Sequence, residues 1–437
     1  MREWIIRLTL VVFGFFIAIV ALEFGLSKFA SNPKTFHTDF FEPDKYIGWK
    51  GKPGKEGSFM SYKVVQYVKI NSYGFRDKEH NYKKEKDVFR ILVLGDSFAE
   101  GLQVPLEQTF PYILEKRLNS AINKRFEVIN LGVSGFSTAQ EYLTLKYYGL
   151  RYQPDLVILA FYVGKDVEYN SLTLHPSADT PFFTLNDNKL EEIPFKIKVS
   201  KPDKDEEQTK LAVMAKFFPN VYYLLSSVIK ETPLQILENI LVKLFPNTYN
   251  SLSNRIREKP WLGNFLWRVS IKKSKPESVD QNKKSEIPDY FQVYAQEYPP
   301  EWQDAWKVTN GLILKLAKEL EMDKIGFLVV IIPNEFEFRP EMRDGILKNP
   351  QLRTLIDLKK PERILSNFLE ANNIDYLLLR PEFEEYTKET RKRLQFPYEY
   401  ENHWNADGHA LTAQLIYKKL KDDELVPIKG RYFSSSH

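Results

Sequence analysis

Hydrophobic and polar positions follow two rhythms along this chain. From residue 88 onward, short unbroken apolar runs read as buried strands: "VFRILVL" (88–94), "FEVIN" (126–130), "DLVILAFYV" (155–163), "IGFLVVIIP" (325–333) and "IDYLLL" (374–379). Between them lie stretches whose apolar residues return every three or four positions, the spacing of one helical face, at 110–118, 137–149, 302–320, 361–371 and 406–420. A hydroxyl at Ser137 or Thr138 is placed to cap the second of these helices, and Gly149 to end it. Strands that are apolar on both faces and joined by helices predict a three-layer α/β/α fold around a five-stranded parallel sheet.

Three regions lie outside that alternation. Residues 31–86 predict a small β-rich lead-in, with a period of two in "YKVVQYVKI" and a turn at "NSYGFRD". Residues 171–296 predict a helical insertion, with amphipathic stretches at 211–229 and 234–245 and a charged loop, "KKSKPESVDQNKKSE", at 272–286. Packing of this insertion onto the sheet is weighed against a lid or a membrane-facing surface. The chain thus reads as an anchor (1–30), the lead-in (31–86), a first part of the sheet domain (87–170), the insertion (171–296) and a second part (297–427).

The anchor is read from an uncharged run, Leu8 to Leu22, with Arg2 and Arg7 before it and Glu23 and Lys28 after it. That run alone would reach about 22 Å, short of the ~30 Å hydrocarbon core. Counting from Trp4 to Leu26, with Arg7 and Glu23 near the interfaces, makes up the difference. Lys28, two positions before Ala30, speaks against a cleavage site, so a single-pass transmembrane helix is expected ahead of a cleaved signal peptide or a core helix. The leading arginines place the globular part outside the cytoplasm, periplasmic or extracellular.

Composition narrows the chemistry. The balance of 62 Lys+Arg against 58 Asp+Glu gives a net charge of only +4, which does not call for a nucleic-acid partner. With no cysteine, disulfides, thiolate metal sites and a cysteine nucleophile are excluded. The 6 histidines are scattered, so no metal and no cofactor is expected.

The candidate chemistry starts at "ILVLGDSFAEG" (91–101), where a buried strand stops at Ser97. Open α/β sheets place their ligands at the carboxyl edge of the strands. An alcohol needs a base to become a nucleophile, and the base needs an orienting group. His403 in "YEYENHWNADGH" precedes the last helix and so returns to the same edge, with Glu401 two residues before it. Gly135 in "GVSGFS" follows the second strand and Lys165 in "YVGKDVEYN" the third, both positioned to face a developing oxyanion together with the Ser97 N–H. Other readings stand beside these. Ser97 could cap a turn, Asp96 could bond the loop backbone, and Asn405 could cap the last helix. His409, two after Asp407, could replace His403 or serve as a structural residue. Arg76 could pair internally or hold an anionic group, and the many Tyr and Trp could stack on sugars or fill the core.

The blocks "VLGDSF", "GVSG", "FYVGKD" and "HWNADGH", in this order, resemble the four blocks of the SGNH (GDSL-type) hydrolase superfamily, over roughly 85–170 and 297–425 and including "INSYGFR". The resemblance implies an SGNH/flavodoxin-like fold with Ser97 as nucleophile, Gly135 as an oxyanion donor and His403 as base. "ENHW" is also similar to membrane-anchored, alginate-type O-acetyltransferases, with Glu401 where those have Asp. Two positions depart from the pattern. Lys165 stands where the family has an Asn, and loss of one oxyanion donor costs about 10²–10³ in rate. Tyr400 occupies the alternative position of the acid. The expected function is a serine-dependent ester hydrolase or O-acyltransferase acting outside the cytoplasm on an envelope or extracellular glycan or lipid ester. A catalytically impaired binding or scaffold protein of the same fold is the alternative.

Overall fold

The computed structural model describes residues 40–61, 64–122, 124–187, 189–195, 287–397 and 402–427, with positions 14, 17–21 and 24 of a helix near the amino terminus. The chain divides into two compact units, Met1–Thr35 with Ser200–Lys284, and Phe36–Val199 with Ser285–His437. The expected transmembrane helix and the insertion helices fall in the first unit and lie almost wholly outside the described residues. Among the described residues, no helix is long and apolar enough to cross a membrane.

The second unit is built on the five runs that the apolar pattern marks. They form β5 (Val88–Gly95), β6 (Arg125–Asn130), β7 (Leu156–Tyr162), β10 (Gly326–Ile332) and β11 (Asp375–Leu378). All neighbours are parallel and the spatial order is β11-β10-β7-β5-β6. Counted within the sheet this is 2-1-3-4-5, the flavodoxin-like doubly wound order, whose switch point lies between β5 and β7. Alternate residues of each strand feed two cores. Leu92, Leu94, Val157, Leu159 and Phe161 pack with the helices Thr138–Tyr147, Pro300–Met322 and Lys360–Ala371. Ile91, Val93, Ile158 and Ala160 pack on the other face with Phe110–Ala121, Arg380–Thr390 and Ala406–Asp422. Burial on both faces is why these runs carry no polar alternation, and each fully buried aliphatic side chain contributes about 1.5–3 kcal/mol.

The lead-in supplies two antiparallel hairpins, β1 (Phe41–Asp44) with β2 (Gly48–Gly51) and β3 (Glu56–Ser61) with β4 (Val64–Lys69). Residues 171–195 and 287–296, flanking the expected insertion helices, group with the second unit, and they carry a hairpin, β8 (Phe182–Asn186) with β9 (Lys189–Ile193), and a 3-10 turn, Asp289–Tyr294. Phe182 and Phe183 are buried there, so tertiary packing outweighs a short, charge-rich sequence with little periodicity. Ser97 opens a helical turn, Ser97–Glu100.

Candidate active site

Everything around Ser97 follows from how β5 ends. Asp96 caps the turn α1 (Ser97–Glu100), its carboxylate accepting a bond from the Phe98 N–H at 2.9 Å. Gly101 closes the turn in the left-handed region, φ +64°, and donates back to the Ser97 carbonyl at 2.9 Å. Arg76, only 1% exposed, donates to the carbonyls of Glu100, at 2.9 Å, and of Gly101 and Val104. A four-residue turn has too few internal bonds to hold itself, so this guanidinium supplies the restraint. Burial lowers Arg76 to about 10, which leaves it charged at neutral pH. Of the two readings of Arg76, the structure shows the internal one.

His403 reaches Ser97 from the loop before α2 (Ala406–Asp422): its Nε2 lies 2.7 Å from Ser97 Oγ. The loop is pinned as a short antiparallel bridge. Phe396 N–H donates to the His403 carbonyl at 3.0 Å, and Asn405 N–H donates to the Leu394 carbonyl at 3.1 Å. Gln395 and Trp404 pair between them. Trp404, 1% exposed, packs edge-on against Phe98, Phe110 and His409 and fixes the height of its neighbour His403 over the sheet. Asn405 caps α2 through the Gly408 N–H at 3.0 Å. Glu401 lies outside the described residues.

The alternative base is elsewhere. His409 is buried, and its Nδ1 accepts a bond from the Phe110 N–H at 3.2 Å. Burial, with Arg76 and His403 nearby, pushes it down to about 3, so it stays neutral and structural. Asp407 points to Lys392 at 3.9 Å and is half exposed.

The oxyanion candidates meet Ser97 in one cleft. Ser97, Gly135, Lys165 and His403 all line a cavity of about 300 Å³ at the switch point. Gly135 has φ +81°, a conformation strained for any other residue, and a Cβ there would only touch the Trp49 ring, at 3.4 Å. The preceding residue, Ser134, is held from both sides. Its N–H donates to Glu100 at 2.8 Å and its hydroxyl to the same carboxylate oxygen, while its carbonyl accepts from the Trp49 indole at 3.1 Å. Lys165 begins the turn Asp166–Tyr169, with its ammonium 5.6 Å from the Tyr169 ring.

Burial sets the electrostatics of the carboxylates below the cleft. Asp96 is pushed up to about 6 and Glu100 to about 7, in each case chiefly by desolvation. Glu141 and Asp166, fully buried nearby, are both held well above the usual carboxylate range by the same cause, reinforced in Glu141 by Asp96 and in Asp166 by Glu141 and Asp96. Among the described residues, no group of three or more His, Asp or Glu side chains is arranged to hold a metal ion.

Sequence reasoning missed Glu100, Ser134 and Trp49, which clamp the Gly135 loop, and Phe41 and Phe59, which bring the lead-in into the cleft wall. A serine within 2.7 Å of an imidazole, at a sheet edge and beside a left-handed glycine, is an arrangement able to activate a hydroxyl for acyl transfer.

No family model matches the sequence, and no curated protein does. Among solved structures the chain is similar to an acetyl xylan esterase, AlAXEase, at 12% identity and a TM-score of 0.36, covering 76% of this chain and 98% of that one. A catalytic mutant of the acetylxylan esterase Axe2 from Geobacillus stearothermophilus gives 11%, 0.34, 78% and 97%. A GDSL-like lipase from Bacteroides thetaiotaomicron gives 11%, 0.31, 79% and 93%. With TM-scores this low, fold and site rest on the chain's own geometry.

Proposed function

We propose that this protein is a serine-dependent acyl ester hydrolase or O-acyltransferase of the SGNH type. The observation that carries this reading is the 2.7 Å approach of His403 Nε2 to Ser97 Oγ at the switch point of a doubly wound sheet. His403 would take the hydroxyl proton as Ser97 Oγ attacks the ester carbonyl. The tetrahedral oxyanion would face the Ser97 and Gly135 loops and the Lys165 ammonium. On collapse, the leaving alkoxide takes that proton from His403, which leaves an acyl-Ser97. Water as acceptor gives hydrolysis, a second hydroxyl gives transfer, and either acceptor returns its proton through His403.

The test is labelling of Ser97 by a fluorophosphonate, run beside turnover of p-nitrophenyl acetate. Wild type is expected to label, and Ser97→Ala to lose label and at least about 10³-fold in kcat while keeping its fold. Well-folded wild type that takes no label and turns over no ester would instead support the binding or scaffold reading, which the Lys165 substitution favours.

We further propose that the amino-terminal segment anchors the protein as a single-pass membrane helix with the catalytic unit outside the cytoplasm. The apolar run from Leu8 to Leu22 supports it, as does the exposure of Ile17, Val20 and Phe24 on the described part of that helix.

A further inference from the structure

We propose that Gln103 is a substrate-binding residue of the cleft, and that it receives a free hydroxyl of the substrate close to the ester. The inference deepens the esterase reading and rests on it. Gln103 lines the cavity that holds Ser97 and His403, and it is 5% exposed. Its Oε1 is buried with no hydrogen-bond partner among the described residues. The other polar side chains buried in that lining are committed inside the fold: Asp96 accepts from the Phe98 N–H at 2.9 Å, and Tyr162 donates to Asn334. Ser134, half-buried, gives its hydroxyl to Glu100.

The amide is also held in place. Arg76 donates to the carbonyls of Gly101 and Val104, and the Val104 N–H returns to the Gly101 carbonyl at 3.3 Å, so Leu102 and Gln103 form the middle of a closed turn. Leu102, 2% exposed, fixes that turn in the core of the lead-in with Phe40, Val68 and Ile70. One guanidinium thereby holds both the nucleophile turn and the turn that carries Gln103. A buried amide with an unpaired atom weakens the folded protein, and an apolar side chain of the same length would not. The use of the amide therefore lies in the cleft, in what it binds there.

The amide also says what kind of group that is. It is neutral, and so a poor partner for an ion that must shed its water. It carries an acceptor and two donors, and a half-turn about its last torsion exchanges which of them meets the cavity. A hydroxyl, which both donates and accepts, pairs with either presentation. The cavity measures only about 300 Å³ and contains Ser97, which keeps that hydroxyl near the reacting carbonyl.

The experiment measures kcat/KM of wild type and Gln103→Met on ethyl acetate, on 2-hydroxyethyl acetate, which carries a hydroxyl on the alcohol portion, and on ethyl glycolate, which carries it on the acyl portion. Comparing the two proteins on the same ester cancels that ester's intrinsic reactivity. On one of the hydroxy esters, Gln103→Met is expected to lose at least about fivefold more than it loses on ethyl acetate, the effect of one neutral hydrogen bond. The ester that shows the loss tells which portion carries the hydroxyl. Calorimetry adds a readout independent of turnover: freed of the unpaired amide, Gln103→Met is expected to melt about 2 °C above wild type. Equal losses on all three esters, or no loss on any, would overturn the proposal. A melting temperature below that of wild type would overturn it too, because the amide would then have a structural partner. No turnover by wild type, together with no fluorophosphonate label, would be a different failure, that of the esterase reading, and the proposal would fall with it.

Discussion

Glu100 shows how much of this site depends on a single buried side chain. It stands three residues after Ser97, is 1% exposed, and accepts both the N–H and the hydroxyl of Ser134, so it ties the nucleophile turn to the Gly135 loop. Desolvation raises its pKa from 4.5 to about 7, against the opposing pull of Ser134 and Arg76. The unfolded chain gives up this proton first, so between those two values the folded state holds more protons than the unfolded one. Glu100 therefore contributes its full stability below about pH 4.5 and loses it as pH rises through 7. In Glu100→Gln the acceptor for Ser134 survives but the titration does not. Denaturant unfolding from pH 4 to 8 is expected to show wild type losing on the order of 3 kcal/mol relative to Glu100→Gln. Parallel stability curves for the two proteins would contradict this account.

At the scale of elements, the base loop is positioned by a strand that carries none of the chemistry. β10 ends at Ile332 and runs into the turn Glu335–Phe338, where Glu335, 6% exposed, takes a bidentate bond from Arg393 at 2.9 and 3.0 Å. The Arg393 carbonyl in turn accepts the Asn405 side-chain amide at 2.8 Å, so the pair sets both edges of the bridge that presents His403. Glu335→Gln removes the charge pairing with Arg393 and frees the loop to drift. A displacement of the base by about 1 Å is enough to cost up to 10²-fold in rate. The expectation is a fall in kcat of about tenfold on p-nitrophenyl acetate at nearly constant KM, with a shift in the acid limb of the pH–rate profile, which a loss of stability alone would not produce. Unchanged kcat and an unchanged acid limb would mean that the bridge holds His403 without the salt bridge. Little of this was legible beforehand. Ser97, Gly135, Lys165 and His403 could be found because each follows an apolar run or precedes a helical one, so local pattern places them at one sheet edge. Glu335, Arg393, Glu100 and Trp49 act through partners distant in sequence, and no periodicity encodes such contacts.

For the whole molecule, the five strands of the sheet were written in the pattern of apolar runs, whereas the lead-in's share of the cleft was not. Phe41 and Phe59 enter the site only because their hairpins fold back against the switch point, and the β8–β9 hairpin was hidden in a stretch without a clear period. All described residues of the cleft belong to the unit Phe36–Val199 with Ser285–His437, and the apolar amino-terminal run belongs to the other. Membrane attachment and ester chemistry should therefore separate. Two arginines placed in the middle of the run, Phe15→Arg with Ile19→Arg, would each cost about 2.5–3.5 kcal/mol at the centre of a bilayer. The full-length wild type is expected to stay in the membrane pellet through alkaline carbonate extraction, and the double variant to move to the supernatant. Fluorophosphonate labelling per mole should be the same for both, because neither substituted residue belongs to the unit that holds Ser97. Wild type released by carbonate would remove the anchor. Labelling lost together with attachment would mean that the amino-terminal unit supports the catalytic one, because the two substitutions lie in that unit alone.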